Sequence, residues 1–202
     1  MINLVPVLGM LAVVVGVADT VPYVRDILRG ATRPHRGTWL IWSVLTIVVC
    51  LSQHADGASW SLLMAGAQAV LTSLVFILAI RRGEGGVSRG EGVLMTIAGC
   101  GVAGWMTADE PMVATTCVVV ADLIGATMML PKTCRDPDSE TLATYALASL
   151  AGLLAAGAVG TPDLSLLLYP IYFALVNGAI AVLIQVRRVV LQRESGLGRV
   201  IA

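Results

Sequence analysis

Charge is scarce in this chain. Only 13% of its 202 residues are Asp, Glu, Lys or Arg, 57% are hydrophobic and the mean hydropathy is +0.86, against about 25% charged in soluble domains. A surface hydrated on all sides needs more charge, so a soluble enzyme is excluded and an integral membrane protein is implied. Phenylalanine is limited to two residues, and the apolar mass is Val, Leu, Ala and Ile with 21 glycines, as in helices that pack closely in lipid. There are only two histidines, His35 and His54, and the four cysteines, Cys50, Cys100, Cys117 and Cys134, have no metal-ligand spacing. No metal site or cofactor is implied, and the cysteines read as small packing residues. A phosphate-binding glycine loop and a nucleophile elbow are both missing, which argues against an enzyme. The last apolar segment lacks lysine, which excludes a retinal Schiff base of the microbial kind. Thirteen basic residues balance thirteen acidic ones, so nothing points to nucleic acid.

What is present is a series of apolar runs. A crossing helix needs roughly 20 apolar residues. The chain offers seven candidates, near Ile2 to Tyr23, Thr38 to Gln53, Ala58 to Ile80, Gly92 to Ala108, Met112 to Leu130, Thr141 to Ala158 and Leu164 to Val186. Pro34, Pro111, Pro137 and Pro162 fall at or just before helix starts, where a missing N–H costs nothing. Met1 to Ala18 ends in small residues but lacks a basic leader, so it reads as the first span and not as a signal peptide.

The basic residues fall in four segments: Arg25, Arg29, Arg33 and Arg36; Arg81, Arg82 and Arg89; Lys132 and Arg135; and Arg187, Arg188, Arg193 and Arg199. The alternate loops carry His54, Asp56, Asp109, Glu110 and Asp163 and no basic residue. The positive-inside rule then puts the N-terminus outside and the C-terminus in the cytoplasm, in a bacterial inner membrane.

Sliding the chain along itself by 103 positions lays Val17-Ala18-Asp19 on Val120-Ala121-Asp122, Arg29 on Lys132, Pro34 on Pro137, Thr38 on Thr141, Trp42 on Tyr145 and Thr46 on Ser149. A shift of 104 lays Ser61-Leu62-Leu63 on Ser165-Leu166-Leu167 and Ser73 on Asn177. This is the signature of an internal duplication. Three helices per copy is an odd number, so one linking helix is needed to give both copies the same orientation, related by an axis along the membrane normal. The expected organisation is a first three-helix repeat over 1–80, a linker helix with flanking loops over 81–110, a second repeat over 111–190 and a cytoplasmic tail over 191–202. Gly92, Gly99, Gly101 and Gly104 make the linker thin.

With these features the chain resembles the PQ-loop/SWEET superfamily, which has the same 3+1+3 parallel-repeat plan. Gly16 to Trp42, with Pro22-Tyr23, Arg29-Gly30 and Thr38, is similar to the family's first-helix signature and basic loop. Asn177-Gly178 followed by Gln185 is similar to the last helix of SWEET sugar transporters. The chain departs at Pro22-Tyr23, where the family has Pro-Gln, at Gly125-Ala126, and at Ser73, where an Asn is expected. Thr32 to Trp42 and Ala121 to Glu140 also resemble uncharacterised bacterial seven-helix membrane proteins, which implies a fold and no known activity.

A carboxylate inside a membrane helix costs about 2.5 to 3.5 kcal/mol at the bilayer centre and usually faces a cavity or a partner. Asp122 and its repeat mate Asp19 are therefore the candidates for proton coupling; the alternative is pairing with loop arginines or with Thr and Tyr hydroxyls that fixes packing. Thr38, Trp42 and Thr46, and again Thr141, Tyr145 and Ser149, repeat every four positions, giving each copy a polar-aromatic stripe. Trp42 and Tyr145 are candidate stacking platforms for a solute, with Asn177, Ser73, Gln68 and Tyr172 as further substrate-binding candidates; the alternative is an interfacial aromatic belt, which Trp39 suits best. Pro22 and Pro131 are candidate hinges, and Gln185 can snorkel to the interface.

The expected function is transport of a small-molecule solute of unknown class by alternating access. The alternative is a seven-helix sensor, lipid-binding or scaffold protein. The expected partners are the lipid bilayer and the solute, with self-association compatible with the sequence.

Overall fold

The computed structural model describes residues 4–55, 60–86, 88–107, 111–160, 162 and 164–201; Asp56, Asp109, Glu110 and Asp163 lie outside them, as does the side chain of His54. The described residues form an all-α fold: α1 Leu4–Ala18, α2 Thr20–Arg29, α3 Arg36–Ala55, α4 Trp60–Arg82, α5 Arg89–Thr107, α6 Pro111–Arg135, α7 Leu142–Ala158 and α8 Leu164–Ile201, with a short 3₁₀ turn at Pro137–Ser139. Three helical stretches, Leu4–Arg29, Thr115–Arg135 and Leu166–Ser195, are long and apolar enough to cross a membrane. This is a membrane protein. Its outward faces are apolar: Val14, Val70, Leu153 and Leu175 are each more than 60% exposed, the inverse of a soluble surface.

Three helices extend beyond their expected ends. Pro22 cannot donate to Ala18, and the helix breaks only at Asp19 before continuing to Arg29. Gly30 ends it in the left-handed conformation at φ 76°, its N–H on the Asp26 and Ile27 carbonyls. Pro131 likewise sits inside α6, and α8 runs past Val186 through most of the expected tail. Asp19 is thus ten residues from the end of α2, roughly 15 Å at 1.5 Å per residue, and Asp122 thirteen from the end of α6, roughly 20 Å. Asp122 thus lies inside α6, and Asp19 at the break between α1 and α2. The expected linker helix, from Gly92, starts earlier, at Arg89, and so gains two charged residues, Arg89 and Glu91.

α3 packs on α4, α7 on α8 and α5 on α6. Between these pairs, α1 and α2 lie on α7, α6 lies on α3, and α8 also meets α6. Close approach is built in where α7 crosses α8, since a Cβ on Gly152 would come within 2.7 Å of the Ala174 nitrogen. One core joins Tyr23 and Ile27 of α2, Trp39 of α3, Met129 of α6, Tyr145 of α7 and Ile184 of α8. A second joins Ile41 and Leu45 of α3, Ala98 and Val102 of α5, and Ala121 of α6.

Candidate functional site

The most buried polar cluster sits where α2, α3, α6 and α7 end or begin. Glu140, just ahead of α7, is 1% exposed. Its Oε2 accepts from the Tyr23 and Tyr145 hydroxyls, each at 2.9 Å. Its Oε1 is paired with the Lys132 ammonium, whose side chain is 4% exposed. Lys132 also donates to the carbonyls of Arg33 and Ser139. Trp39 Nε1 donates to the Tyr23 oxygen at 3.1 Å, and Tyr23 packs edge-on against Tyr145. A charge this deep needs a counter-ion and full hydrogen bonding, and Glu140 has both. Arg188 of α8 closes the cluster from below, donating to the Glu140 carbonyl at 2.9 Å.

The α2–α3 and α6–α7 loops meet each other here. Arg33 N–H donates to the Ser139 carbonyl at 3.0 Å, Arg33 pairs with Asp136, and the Thr32 and Thr141 hydroxyls are 2.6 Å apart. Arg33 and Asp136 stand 103 positions apart.

Asp19 and Asp122 are both buried, at 7% and 9% exposure. Asp19 Oδ1 accepts from the Thr20 hydroxyl at 2.9 Å, and Asp122 Oδ2 accepts from the Tyr172 hydroxyl at 2.8 Å. Neither carboxylate has a basic partner among the described residues. Their backbone carbonyls are met across the helix interfaces: Thr144 of α7 donates its hydroxyl to Asp19 O at 2.9 Å, and Trp42 of α3 donates its indole N–H to Asp122 O at 3.4 Å.

The residues singled out from sequence do not converge on one space. Trp42 and Tyr172 reach Asp122, whereas Tyr145 joins the Glu140 cluster. Asn177, 7% exposed, donates its amide to the Phe173 carbonyl one turn back. The Ser73 hydroxyl is 3.0 Å from that of Ser43, and Gln68 reaches the Gly16 carbonyl at 3.5 Å. Pro22 and Pro131 lie within helical runs, Pro131 at the surface.

A cleft of about 850 Å³ opens at the same end of the molecule, between the starts of α3 and α5 and the end of α6, and of the singled-out residues only Pro131 lines it. One wall is the α4–α5 loop, held to the α2–α3 loop by Glu84 N–H on Pro34 O and Arg36 N–H on Glu84 O. Ser88 and Glu91 form a capping box at the start of α5: Glu91 N–H donates to Ser88 Oγ at 3.2 Å and Ser88 N–H to Glu91 Oε2 at 2.8 Å. Glu91 Oε1 also accepts from Gly86 N–H and lies 2.8 Å from His35 Nε2. Thr38 N–H donates to His35 Nδ1 at 3.2 Å, which assigns the proton of the neutral ring to Nε2. A second proton on Nδ1 would face that N–H. Burial holds the His35 imidazole below its ordinary 6.5, against the pull of Glu91. Burial also pushes the Glu91 carboxyl up, but the bonds from Gly86, Ser88 and His35 outweigh it and hold the group down to about 2.

Glu140, Lys132 and Tyr23 escape a reading of the sequence because Glu140 sits beside Asp136 and Asp138 in what looks like a solvated loop. One signal is in the sequence: Lys132 is the only lysine beside twelve arginines. Among the described residues no group of His, Cys, Asp and Glu could hold a metal ion. Compared with known proteins, the chain matches no family model, no curated protein and no solved structure.

Proposed function

We propose that the chain is a small-solute carrier or facilitator of the bacterial cytoplasmic membrane. In this reading seven spans, N-out and C-in, form two parallel three-helix repeats joined by α5, and the repeats rock to give alternating access. The observation that carries it is the pair of buried carboxylates, Asp19 and Asp122, at mate positions of the two copies, each met by one hydroxyl and by no basic group among the described residues. A role in packing alone would be served at lower cost by an amide, so a carboxylate at both positions suits a group that exchanges a proton or a cationic solute. The matched contacts at their carbonyls, α7 on Asp19 and α3 on Asp122, support the duplication, as does the PQ-loop/SWEET resemblance. The Glu140 cluster is then the closed gate of the basic, cytoplasmic side, where equivalent loops of the two copies meet.

A second reading, a non-transporting sensor, lipid-binding or scaffold protein, is favoured by Tyr145 and Asn177, whose polar atoms are spent on protein partners. A thermal-shift screen of the purified protein separates the two. Sugars, amino acids, nucleosides and vitamins are compared on the wild type, Asp122→Asn and Asn177→Ala, because a ligand raises apparent stability by mass action. Stabilisation by a water-soluble solute that is lost in Asp122→Asn supports the carrier. Stabilisation by lipid alone, equal in all three proteins, supports the second reading.

A further inference from the structure

We infer that the cleft between α3, α5 and α6 holds the headgroup of a zwitterionic aminophospholipid. Its phosphate would meet Arg135, its ammonium the carboxylates of Glu84 and Asp136, and its acyl chains the exposed apolar stripes of α5 and α6. The inference stands apart from the transport reading.

Charge bookkeeping in the cleft selects the headgroup. Lys132 is saturated by Glu140 and the Arg33 and Ser139 carbonyls, and Glu91, bonded to neutral His35 and to Gly86 and Ser88, keeps a negative charge with its acceptors filled. Arg33 alone faces two carboxylates, Asp136 in contact and Glu84 at 3.7 Å, which leaves one negative charge in excess. Arg135 gives its Nε to the Pro131 carbonyl at 3.1 Å and forms no ion pair with a described residue, which leaves one positive charge in excess. A ligand complementary to this cleft therefore carries both an anionic and a cationic group. A phosphate joined to a primary ammonium supplies both, the phosphate accepting from the guanidinium and the N–H donors pairing with the carboxylates. A purely anionic headgroup would meet the uncompensated carboxylate.

The walls select an amphiphile. Arg135, Pro131, Thr127, Leu123 and Val120 are all exposed and recur every four or three positions, a single stripe along α6. The first three line the cleft, while Leu123 and Val120, 43% and 44% exposed, continue below it on a membrane-crossing helix. On α5, Gly90 and Leu94 line the cleft and Ile97, 48% exposed, continues the row. A polar mouth thus opens onto two apolar tracks at the end of the molecule that carries the basic loops. A soluble zwitterion would have no use for the tracks.

The test measures the apparent Tm of the detergent-purified protein with phosphatidylethanolamine, phosphatidylcholine, phosphatidylglycerol or chain-free phosphoethanolamine, on the wild type, Arg135→Ala and Glu84→Gln. Both side chains are partly or fully solvent-accessible, so both variants are expected to fold. Phosphatidylethanolamine should give the largest shift, falling by half or more in each variant, and Glu84→Gln should close the gap to phosphatidylglycerol. Equal shifts from the three lipids, an equal shift from phosphoethanolamine, or a shift unchanged in both variants would overturn the inference. Native mass spectrometry of the wild type extracted from a mixed-lipid membrane provides a check without variants. Selective retention of the ethanolamine lipid is expected, and retention in proportion to the bulk mixture contradicts it.

Discussion

Asp19 and Asp122, 103 positions apart in the chain, are each met twice: the carboxylate accepts from one hydroxyl, of adjacent Thr20 or of Tyr172 on α8, and the backbone carbonyl accepts from a side chain of another helix. Thr144 and Trp42, which make the second contact, lie on α7 and α3, the helices that follow the α6–α7 and α2–α3 loops. In the proposed two-repeat plan both acids then sit where the repeats meet, and a rocking movement of the repeats would act on them directly.

Asp122→Asn should keep the fold, because an amide oxygen can still accept from Tyr172, and it removes a charge that costs about 2.5 to 3.5 kcal/mol at the bilayer centre. Apparent Tm is expected to hold or rise. The pH dependence of solute binding or uptake, measured in liposomes, should disappear. A variant with wild-type pH dependence would exclude Asp122 from coupling.

The Lys132–Glu140 pair has side-chain exposures of 4% and 0%, so breaking it from one side strands a buried charge. Lys132→Met and Glu140→Gln should each lower stability by about 3–5 kcal/mol, with the double variant less affected than the sum. A double-mutant cycle by thermal or denaturant unfolding measures the coupling, and strict additivity would contradict a direct pair.

His35 and Glu91 predict loss of stability towards acid in two steps. The folded-state value of His35 lies below its ordinary 6.5, so the folded protein binds fewer protons there. The stabilisation is complete above 6.5 and is lost as pH falls from there through the lower folded-state value. Glu91 is depressed from 4.5 to about 2, so its contribution is complete above 4.5 and fades as pH falls towards 2. In apparent Tm against pH, His35→Gln should flatten the upper step and Glu91→Gln the lower one. An upper step identical in wild type and His35→Gln would show that another group is responsible.

Gly152→Ala should destabilise by about 1–3 kcal/mol, because the added Cβ would fall 2.7 Å from the Ala174 nitrogen and 2.9 Å from its Cα, and α8 must shift. Gly99→Ala, with nothing within 4 Å of the new Cβ, should be neutral or gain up to about 1 kcal/mol of helix propensity. Equal effects of the two would mean that α7 and α8 are not in close contact there.

The all-helical class is legible in the sequence because apolar runs of span length are unambiguous, and the two acids stand out because nothing else charged interrupts those runs. Helix ends are less legible. Pro22 and Pro131 read as stops, yet Pro22 falls in the first turn of α2, where a missing N–H costs little, and Pro131 forfeits a single hydrogen bond inside the 25-residue α6. Partnerships across helices are not legible at all: periodicity puts Trp42 and Tyr145 on equivalent faces, but only the packing of α2 against α7 turns Tyr145 towards Glu140 while Trp42 meets Asp122. Glu140 reads as loop because its burial depends on Tyr23, more than a hundred residues away.

The central claim is that the basic end opens and closes around Glu140. Spin labels at Arg29→Cys and Asp138→Cys, in a background with the four native cysteines replaced, report the separation of the two halves there by double electron–electron resonance. The account predicts one narrow, short distance in the wild type and a second, longer population when Glu140→Gln loosens the cluster. A single unchanged distance in a folded Glu140→Gln protein would contradict it and make the cluster a structural clamp.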